Sequence, residues 1–526
     1  MFDVLIENGE IVDGSGQDGF CADVGIKDGK IVAIGSLKGQ AAAERVEAAG
    51  LTVAPGFVDI HCHSDSVLFK MPREQSKILQ GVTTETIGNC GLSAAPVNPD
   101  TRELLQKYTA AIFAGGKLDW NWRTTGEFLD CIEKRKTIGN VAALVGHGTV
   151  RIAVMGFENR EPSPAELARM QQLVKEALAE GAFGLSSGLI YPPGVFSQTD
   201  EMIGLCQPVA AAGGLYATHM RNEGTWLIES VEETIRVGLE TGVSVEISHH
   251  KAAGQSNWGK VNRSLDRMLS ASAQGLNIHC DVYPYIASST VLGAVLPPWA
   301  QEGGVEMLLQ RLADPGCRCR IKTEFAAGLP GWDRFATGDN WDRIVIASCG
   351  VHHEWEGKSL AGLAKEHGQE PAETLFDVML EEHGDILMMA FMMCEEDVAT
   401  ILRHPLSMVG SDAIPSAGKP HPRFYGTFPR ILRKYVREDK VLTLPEAVRK
   451  MSALPAKKLG LTDRGLIQVG MAADIAIFDA AIVADQAEYH DPCHYATGMD
   501  TVLVNGRLAV RQGRYTGELA GRVLRS

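Results

Sequence analysis

The sequence predicts an α/β protein: a (β/α)8 TIM barrel, a small β-sandwich domain formed by both chain termini, and an inserted lobe over the barrel mouth. Three observations predict it. Short apolar runs alternate with helical periodicities from Gly56 to Asp412, a pattern that forces parallel strands joined by helical crossovers. The residues that end those runs are His61, Cys90, His147, His219, His249, Tyr283 and Asp412, and barrel active sites gather at the C-terminal ends of the strands. Both ends of the chain read instead as hairpins.

In order, Phe2 to Ile6, Asp23 to Lys27 and Lys30 to Ile34 are short apolar or alternating runs. Asn8-Gly9 and Asp28-Gly29 separate them, and both are hairpin turn pairs. Ala473 to Asp479 and Val502 to Gly506 have the same texture. Residues 1–55 and 466–526 are therefore expected to form one composite β domain, with the barrel, residues 56–465, inserted between them. Inside the barrel, Ser163-Pro164-Ala165-Glu166 is a capping box with proline at the first helical position. Leu167, Met170, Val174, Ala177 and Leu178 follow at helical spacing, and Gly181 stops the helix. The strand Ala182 to Ser187 comes next. Helices near Glu201 to Ala212, Thr225 to Glu240 and Leu265 to Ala273 alternate with strands Leu215 to His219, Val243 to His249 and Asn277 to Tyr283. Strand candidates exceed eight, with Arg343 to Ala347 and Ile386 to Met393 in surplus. Residues 286–348 hold Pro297-Pro298, Gly303-Gly304 and Pro330-Gly331, fit the repeat poorly and read as the inserted lobe.

A length of 526 residues suits a large barrel with a smaller domain. Hydrophobic and charged contents of 45% and 22% are those of a globular protein. A net charge of −15 argues against a nucleic-acid surface. The first residues lack a basic segment followed by an apolar core, and no apolar run is long enough to span a bilayer. The 11 cysteines are scattered along a long chain, which predicts free thiols and a cytoplasmic location rather than a disulfide framework. The expected partner is a small-molecule substrate, with no nucleic acid and no membrane. The oligomeric state is left open between a monomer and a small homo-oligomer.

Candidate chemistry begins at Gly56 to Asp65, GFVDIHCHSD. Alternation on a strand puts His61 and His63 on one face, which is half of a divalent metal site. Cys90 lies in Gly88-Asn89-Cys90-Gly91, where flanking glycines argue for a loop at the barrel mouth. A thiolate there suits zinc, a borderline-soft ion. His219 and His249 end consecutive strands of the repeat. Asp412, in Gly410-Ser411-Asp412, reads either as a helix cap or as a general base beside an ion.

GFVDIHCHSD, Gly81 to Ser93, THMRNE (Thr218 to Glu223), ISHHK (Ile247 to Lys251), DVYPY (Asp281 to Tyr285), GSD (Gly410 to Asp412) and HPRFYGTFPR (His421 to Arg430) together resemble the D-aminoacylases. These are N-acyl-D-amino-acid deacylases of the amidohydrolase superfamily. The resemblance covers nearly the whole chain. It implies a zinc enzyme in which Cys90, His219 and His249 form a tight site. His61 and His63 would form a second, weaker one, with Cys90 bridging, and Asp412 would be the acid/base residue. Many binuclear members use a carboxylated lysine, but here the fourth strand ends in Ser186-Ser187. Cys90 would stand in for it, and one zinc or two remains open. Rival readings are a cyclic-amide hydrolase of the dihydropyrimidinase type and a scaffold that has lost its metal.

The expected reaction is hydrolysis of an N-acyl-D-amino acid to a carboxylate and a D-amino acid. Tyr191 is a candidate oxyanion donor. Lys251, Arg423, Tyr283 and Ser289 are the expected partners of the substrate α-carboxylate. No lysine or arginine lies between Tyr285 and Arg311, where Val291, Leu292, Val295, Leu296 and Trp299 occur. A preference for hydrophobic D-residues over D-glutamate or D-aspartate is therefore expected.

Overall fold

In the computed structural model, which describes residues 1–71, 73–110, 119–416 and 418–526, eight parallel strands follow one another. They are β1 (Phe57–Asp59), β2 (Val82–Ile87), β3 (Asn140–Ala143, continued by Val145–Gly146), β4 (Gly184–Gly188), β5 (Leu215–His219), β6 (Ser244–Ile247), β7 (Ile278–Val282) and β8 (Ser407–Val409). Strands β1 to β3 pair in one sheet, and the second half of β3 through β8 in another. Backbone bonds join the two sheets at both edges. The Phe183 N–H donates to the Ala143 carbonyl at 2.8 Å across the break in β3. The Asp412 N–H donates to the His61 carbonyl at 2.7 Å, and the His63 N–H to the Ala413 carbonyl at 2.9 Å, tying β8 to β1. The strands thus run round a ring, with β2 and β3 across from β6 and β7.

Helices cover the outside of the ring. Pro164–Ala179 carries the capping box that its sequence predicts, with the Ser163 side chain and Glu166 capping each other. It and the helices Thr199–Ala211, Leu227–Thr241 and Lys260–Ala273 place Val174, Leu205, Val231 and Leu265 in one buried cluster with Leu185, Val245 and Ile278 of the strands. Each such side chain contributes about 1.5–3 kcal/mol when fully buried.

The terminal strands form one nine-stranded hydrogen-bonded sheet, not two separately bonded ones. Its spine is Phe2–Ile11. That strand pairs with Phe20–Lys27 on one side, and on the other with Ala42–Glu47 and then Thr52–Pro55. Thr52–Pro55 also pairs with Ile475–Phe478, which brings the two chain ends together. Asp28-Gly29 makes the expected turn, at φ 51° and 76°. Asn8-Gly9 does not. Asn8 adopts φ 63°, but as a bulge within the long first strand, where the register shifts between Ile6 and Gly9.

The surplus strands belong to a separate layer. Ser288–Val291, Ile344–Cys349 and Ile386–Ala390 make an antiparallel three-stranded sheet with Ile386–Ala390 in its centre. That central strand lies beyond residue 348. The sheet and the helices between its strands share their own apolar core, which includes Leu292, Val295, Leu296, Phe325, Trp341, Phe376 and Met388. Leu292, Val295 and Leu296 therefore pack this layer and do not face a ligand. Trp299 is also engaged within it, its indole N–H donating to Glu324 at 2.6 Å.

Candidate metal centre

The site is built where strands stop and the backbone turns. Cys90, His249 and Asp412 all hold left-handed φ values of 53°, 36° and 47°. Such a conformation costs a non-glycine residue of order 1–3 kcal/mol, and this kind of strain gathers at functional sites. The neighbours permit it. A Cβ on Gly88 would lie 2.1 Å from the Leu144 carbonyl oxygen, and one on Gly410 2.9 Å from the His61 Cβ, so both turns need glycine. The turn at His249 also ends β6 at Ile247, two residues before the sequence pattern would end it.

Around these turns three imidazoles gather on one sulfur. The Cys90 sulfur lies 3.4 Å from His61 Nε2, 3.5 Å from His249 Nε2 and 3.8 Å from His219 Nδ1. Asp412 Oδ1 lies 3.5 Å from His61 Nε2 and 3.3 Å from His63 Nε2. All five ligand candidates and Asp412 are buried, none more than 6% exposed. His147 is not part of this cluster. Its Nε2 meets Glu201 at 2.8 Å, and Glu201 also pairs with the buried Arg151.

The sulfur–nitrogen spacing fits a tetrahedral ion. Bonds of about 2.3 Å to sulfur and about 2.0–2.1 Å to nitrogen place those donors roughly 3.5 Å apart, the spacing found around Cys90. Burial pushes the Cys90 thiol up, but His61, His219 and His249 outweigh it and hold the thiol well below its ordinary value. That shift favours the thiolate, the form that binds metal. Carboxylates orient the imidazoles from behind, as ligating histidines require. Asp281 Oδ2 lies 3.2 Å from His61 Nδ1, and Glu223 Oε1 2.9 Å from His249 Nδ1. Buried acidic and imidazole donors also come within 4.8 Å of one another in two sets, His61–Cys90–His249–Asp412 and His219–Glu223–His249.

The cluster opens into a cleft of about 470 Å³ between the ring and the three-stranded layer. Lys251, Tyr191, Tyr283, Ser289 and Asp412 all line it. Lys251 reaches the cleft from a loop rather than a strand, and its Nζ donates to Glu223 Oε1 at 2.6 Å. The Tyr283 hydroxyl is buried with no hydrogen-bond partner among the described residues. The Tyr191 hydroxyl bonds to Thr290 at 2.8 Å while its ring stands edge-on to His219. Arg423 departs from expectation. It is fully buried behind Asp412 and does not line the cleft. Its Nη1 lies 2.7 Å from Asp412 Oδ2, and its Nη2 donates to the Ser289 carbonyl at 2.9 Å. Burial pushes the Asp412 carboxyl up. Arg423, His249, His63 and His61 overcome this and hold it well below the usual carboxylate range.

Sequence reasoning missed Glu223 and Asp281. Both lay inside quoted motifs, THMRNE and DVYPY, but nothing in their spacing distinguishes an orienting carboxylate from a solvated one. It also missed Asp333, whose Oδ2 accepts the Glu223 N–H at 2.9 Å from outside the ring.

Residues 44–510 match the model of the amidohydrolase family. The chain is 38% identical to a D-aminoacylase of Alcaligenes xylosoxydans xylosoxydans, over 99% of this chain and 97% of that one. It is 37% identical to an N-acyl-D-glutamate deacylase of the same organism, over 99% and 96%. A solved N-acyl-D-glutamate deacylase from Bordetella bronchiseptica, complexed with zinc and a phosphonate mimic of the tetrahedral intermediate, superposes with a TM-score of 0.84 at 34% identity over the full length of both chains. With a family match across most of its length and relatives of this identity end to end, the chain belongs to the amidohydrolase family.

Proposed function

We propose that this protein hydrolyses N-acyl-D-amino acids to a carboxylate and a D-amino acid, with zinc as its metal. The observation that carries the reading is the Cys90 sulfur within 3.4–3.8 Å of three imidazoles at the base of a cleft. Cys90, His219 and His249 would hold one zinc tightly. His61 and His63 would serve a weaker second ion. A bound zinc ion supplies Lewis acidity, polarising the amide carbonyl and acidifying water.

The remaining work falls to the chain. Asp412, ionised in its buried ion pair with Arg423, accepts the water proton and returns it to the departing amine nitrogen, which leaves badly as an anion. Arg423 acts on the substrate only through Asp412 and the Ser289 carbonyl. Lys251 meets the α-carboxylate, with the buried Tyr283 hydroxyl and Ser289 beside it. Tyr191 stands next to His219, where an oxyanion donor is needed.

The side-chain preference rests on the cleft wall. Among the described residues lining it there is no arginine. Lys107 is paired with Glu306, and Lys251 is reserved for the α-carboxylate. Val291, Leu387 and Ile414 supply apolar surface instead. Hydrophobic D-residues are therefore preferred over D-glutamate. The test is amine release from N-acetyl-D-leucine, N-acetyl-L-leucine and N-acetyl-D-glutamate, before and after chelation and zinc reconstitution. Turnover of the D-leucine derivative that is lost on chelation and restored by zinc is expected. Ring opening of hydantoins without amine release would overturn the reading. A higher kcat/KM for the glutamate would overturn only the preference.

A further inference from the structure

The cleft is larger than an N-acetyl amino acid needs. N-acetyl-D-leucine has about a dozen non-hydrogen atoms, whereas sites of roughly 300–1,000 Å³ enclose drug-sized molecules. The cleft here is about 470 Å³. Ring order says which part of a substrate would fill the excess. Lys251 and Tyr283 follow β6 and β7, so the α-carboxylate is anchored on that side. The scissile amide lies over Cys90, His249 and Asp412. The acyl group must then point across the ring, towards the segments that follow β2 and β3.

That side carries an apolar wall. Leu92 follows β2, and Leu104 and Tyr108 lie one turn apart on the helix Arg102–Tyr108, so both present the same helix face. Phe157 comes from the segment after β3, its ring edge-on to Tyr108 at 6.0 Å. The separate layer roofs the wall with Val305 and Leu308 of the helix Val305–Ala313. A Cβ on Gly304 would lie 3.9 Å from the Phe157 ring, and Lys107 forms an ion pair with Glu306. The wall and its roof are therefore in contact, and the Lys107–Glu306 charges that join them neutralise each other at the exposed rim.

We propose that this wall is an acyl-chain subsite, and that the substrates the enzyme handles best are N-acyl-D-amino acids with an unbranched apolar acyl chain of medium length rather than N-acetyl derivatives. The proposal rests on the deacylase reading above. Each methylene moved from water onto the wall contributes binding that is the same in the ground and transition states, so it lowers KM and leaves kcat nearly constant. At full burial the gain is roughly fourfold per methylene.

The test is a kcat/KM series on N-acetyl-, N-butyryl-, N-hexanoyl- and N-octanoyl-D-leucine with the zinc-loaded enzyme. Expected is a rise of at least tenfold from acetyl to hexanoyl, carried by KM, with a shallower slope in Leu104→Gln. Turnover of N-acetyl-D-leucine with a flat or falling series overturns the subsite and leaves the deacylase reading standing. If no N-acyl-D-amino acid is turned over, the deacylase reading fails. Calorimetric binding of octanoate against acetate then decides the subsite on its own. Octanoate binding at least tenfold tighter, weakened in Leu104→Gln, supports it, and equal binding overturns it.

Discussion

Replacing Arg423 by methionine should move the acidic limb of the pH–rate profile without removing any group that faces the substrate. Arg423 Nη1 sits 2.7 Å from Asp412 Oδ2, and both side chains are buried. With charge centres about 4 Å apart and an effective dielectric constant near 20, the pair is worth about 4 kcal/mol. His249, His63 and His61 also favour the ionised carboxylate and offset part of the loss, so the expected result is an upward shift of the limb that is smaller than loss of the whole pair would give. The sign follows from burial. With Arg423 gone, desolvation is opposed only by the imidazoles, and the Asp412 pKa rises. A base must be ionised to act, so kcat/KM on N-acetyl-D-leucine falls at acid pH and recovers as pH rises through the new, higher pKa. Arg423→Lys keeps the charge but loses the fork, and its limb should move less. The methionine variant is also expected to lose about 3–5 kcal/mol of stability, because it strands a buried charge. Profiles are therefore recorded below its unfolding temperature, followed by circular dichroism. An acidic limb that stays in place in a folded Arg423→Met enzyme would refute Asp412 as the base.

Three further outcomes follow from the same geometry. Glu223→Gln leaves Cys90 and the four histidines in place but loosens His249, so zinc affinity measured against a chromophoric chelator should fall about 10- to 100-fold. Tyr283→Phe removes a buried hydroxyl that has no hydrogen-bond partner among the described residues. Its melting temperature should hold or rise, while kcat/KM falls about tenfold, chiefly through KM, if that hydroxyl meets the α-carboxylate. Asp333 has its carboxyl raised from 3.8 to about 7, chiefly by burial and then by Glu223. A group whose folded pKa is raised contributes stability that is full below its unfolded pKa and lost as pH rises through the folded one. The stability of the wild type relative to Asp333→Asn should thus fall by up to about 4 kcal/mol between about pH 4 and pH 7 and then level off. A difference that is independent of pH would show that Asp333 is ionised throughout.

The legible parts of the fold were those set by local periodicity. The helix Pro164–Ala179 announces itself by a capping box and an apolar stripe, and Asp28-Gly29 by its turn chemistry. Asn8-Gly9 carries the same turn signal, yet the long strand Phe2–Ile11 absorbs it as a bulge, because pairing on both sides outweighs a local preference. Ile344–Cys349 and Ile386–Ala390 read as strands, but period alone cannot say whether a strand joins a ring or an antiparallel layer. At the site, residue type and position drew attention to Cys90, His219 and His249, since sulfur and imidazole at strand ends are uncommon. Glu223 was invisible because its role depends on a contact with His249 that only the fold creates. Arg423 shows the converse. A cation near a carboxylate-binding motif suggests substrate contact, but depth of burial commits it to Asp412. Leu292, Val295 and Leu296 were apolar for the ordinary reason, packing a core.

If one sulfur and imidazole nitrogens share an ion, zinc K-edge X-ray absorption on the reconstituted protein will register both. Expected are one sulfur scatterer at about 2.3 Å with nitrogen or oxygen at about 2.0–2.1 Å, and loss of the sulfur shell in Cys90→Ser. A spectrum with no sulfur neighbour, or one unchanged by that substitution, would contradict it.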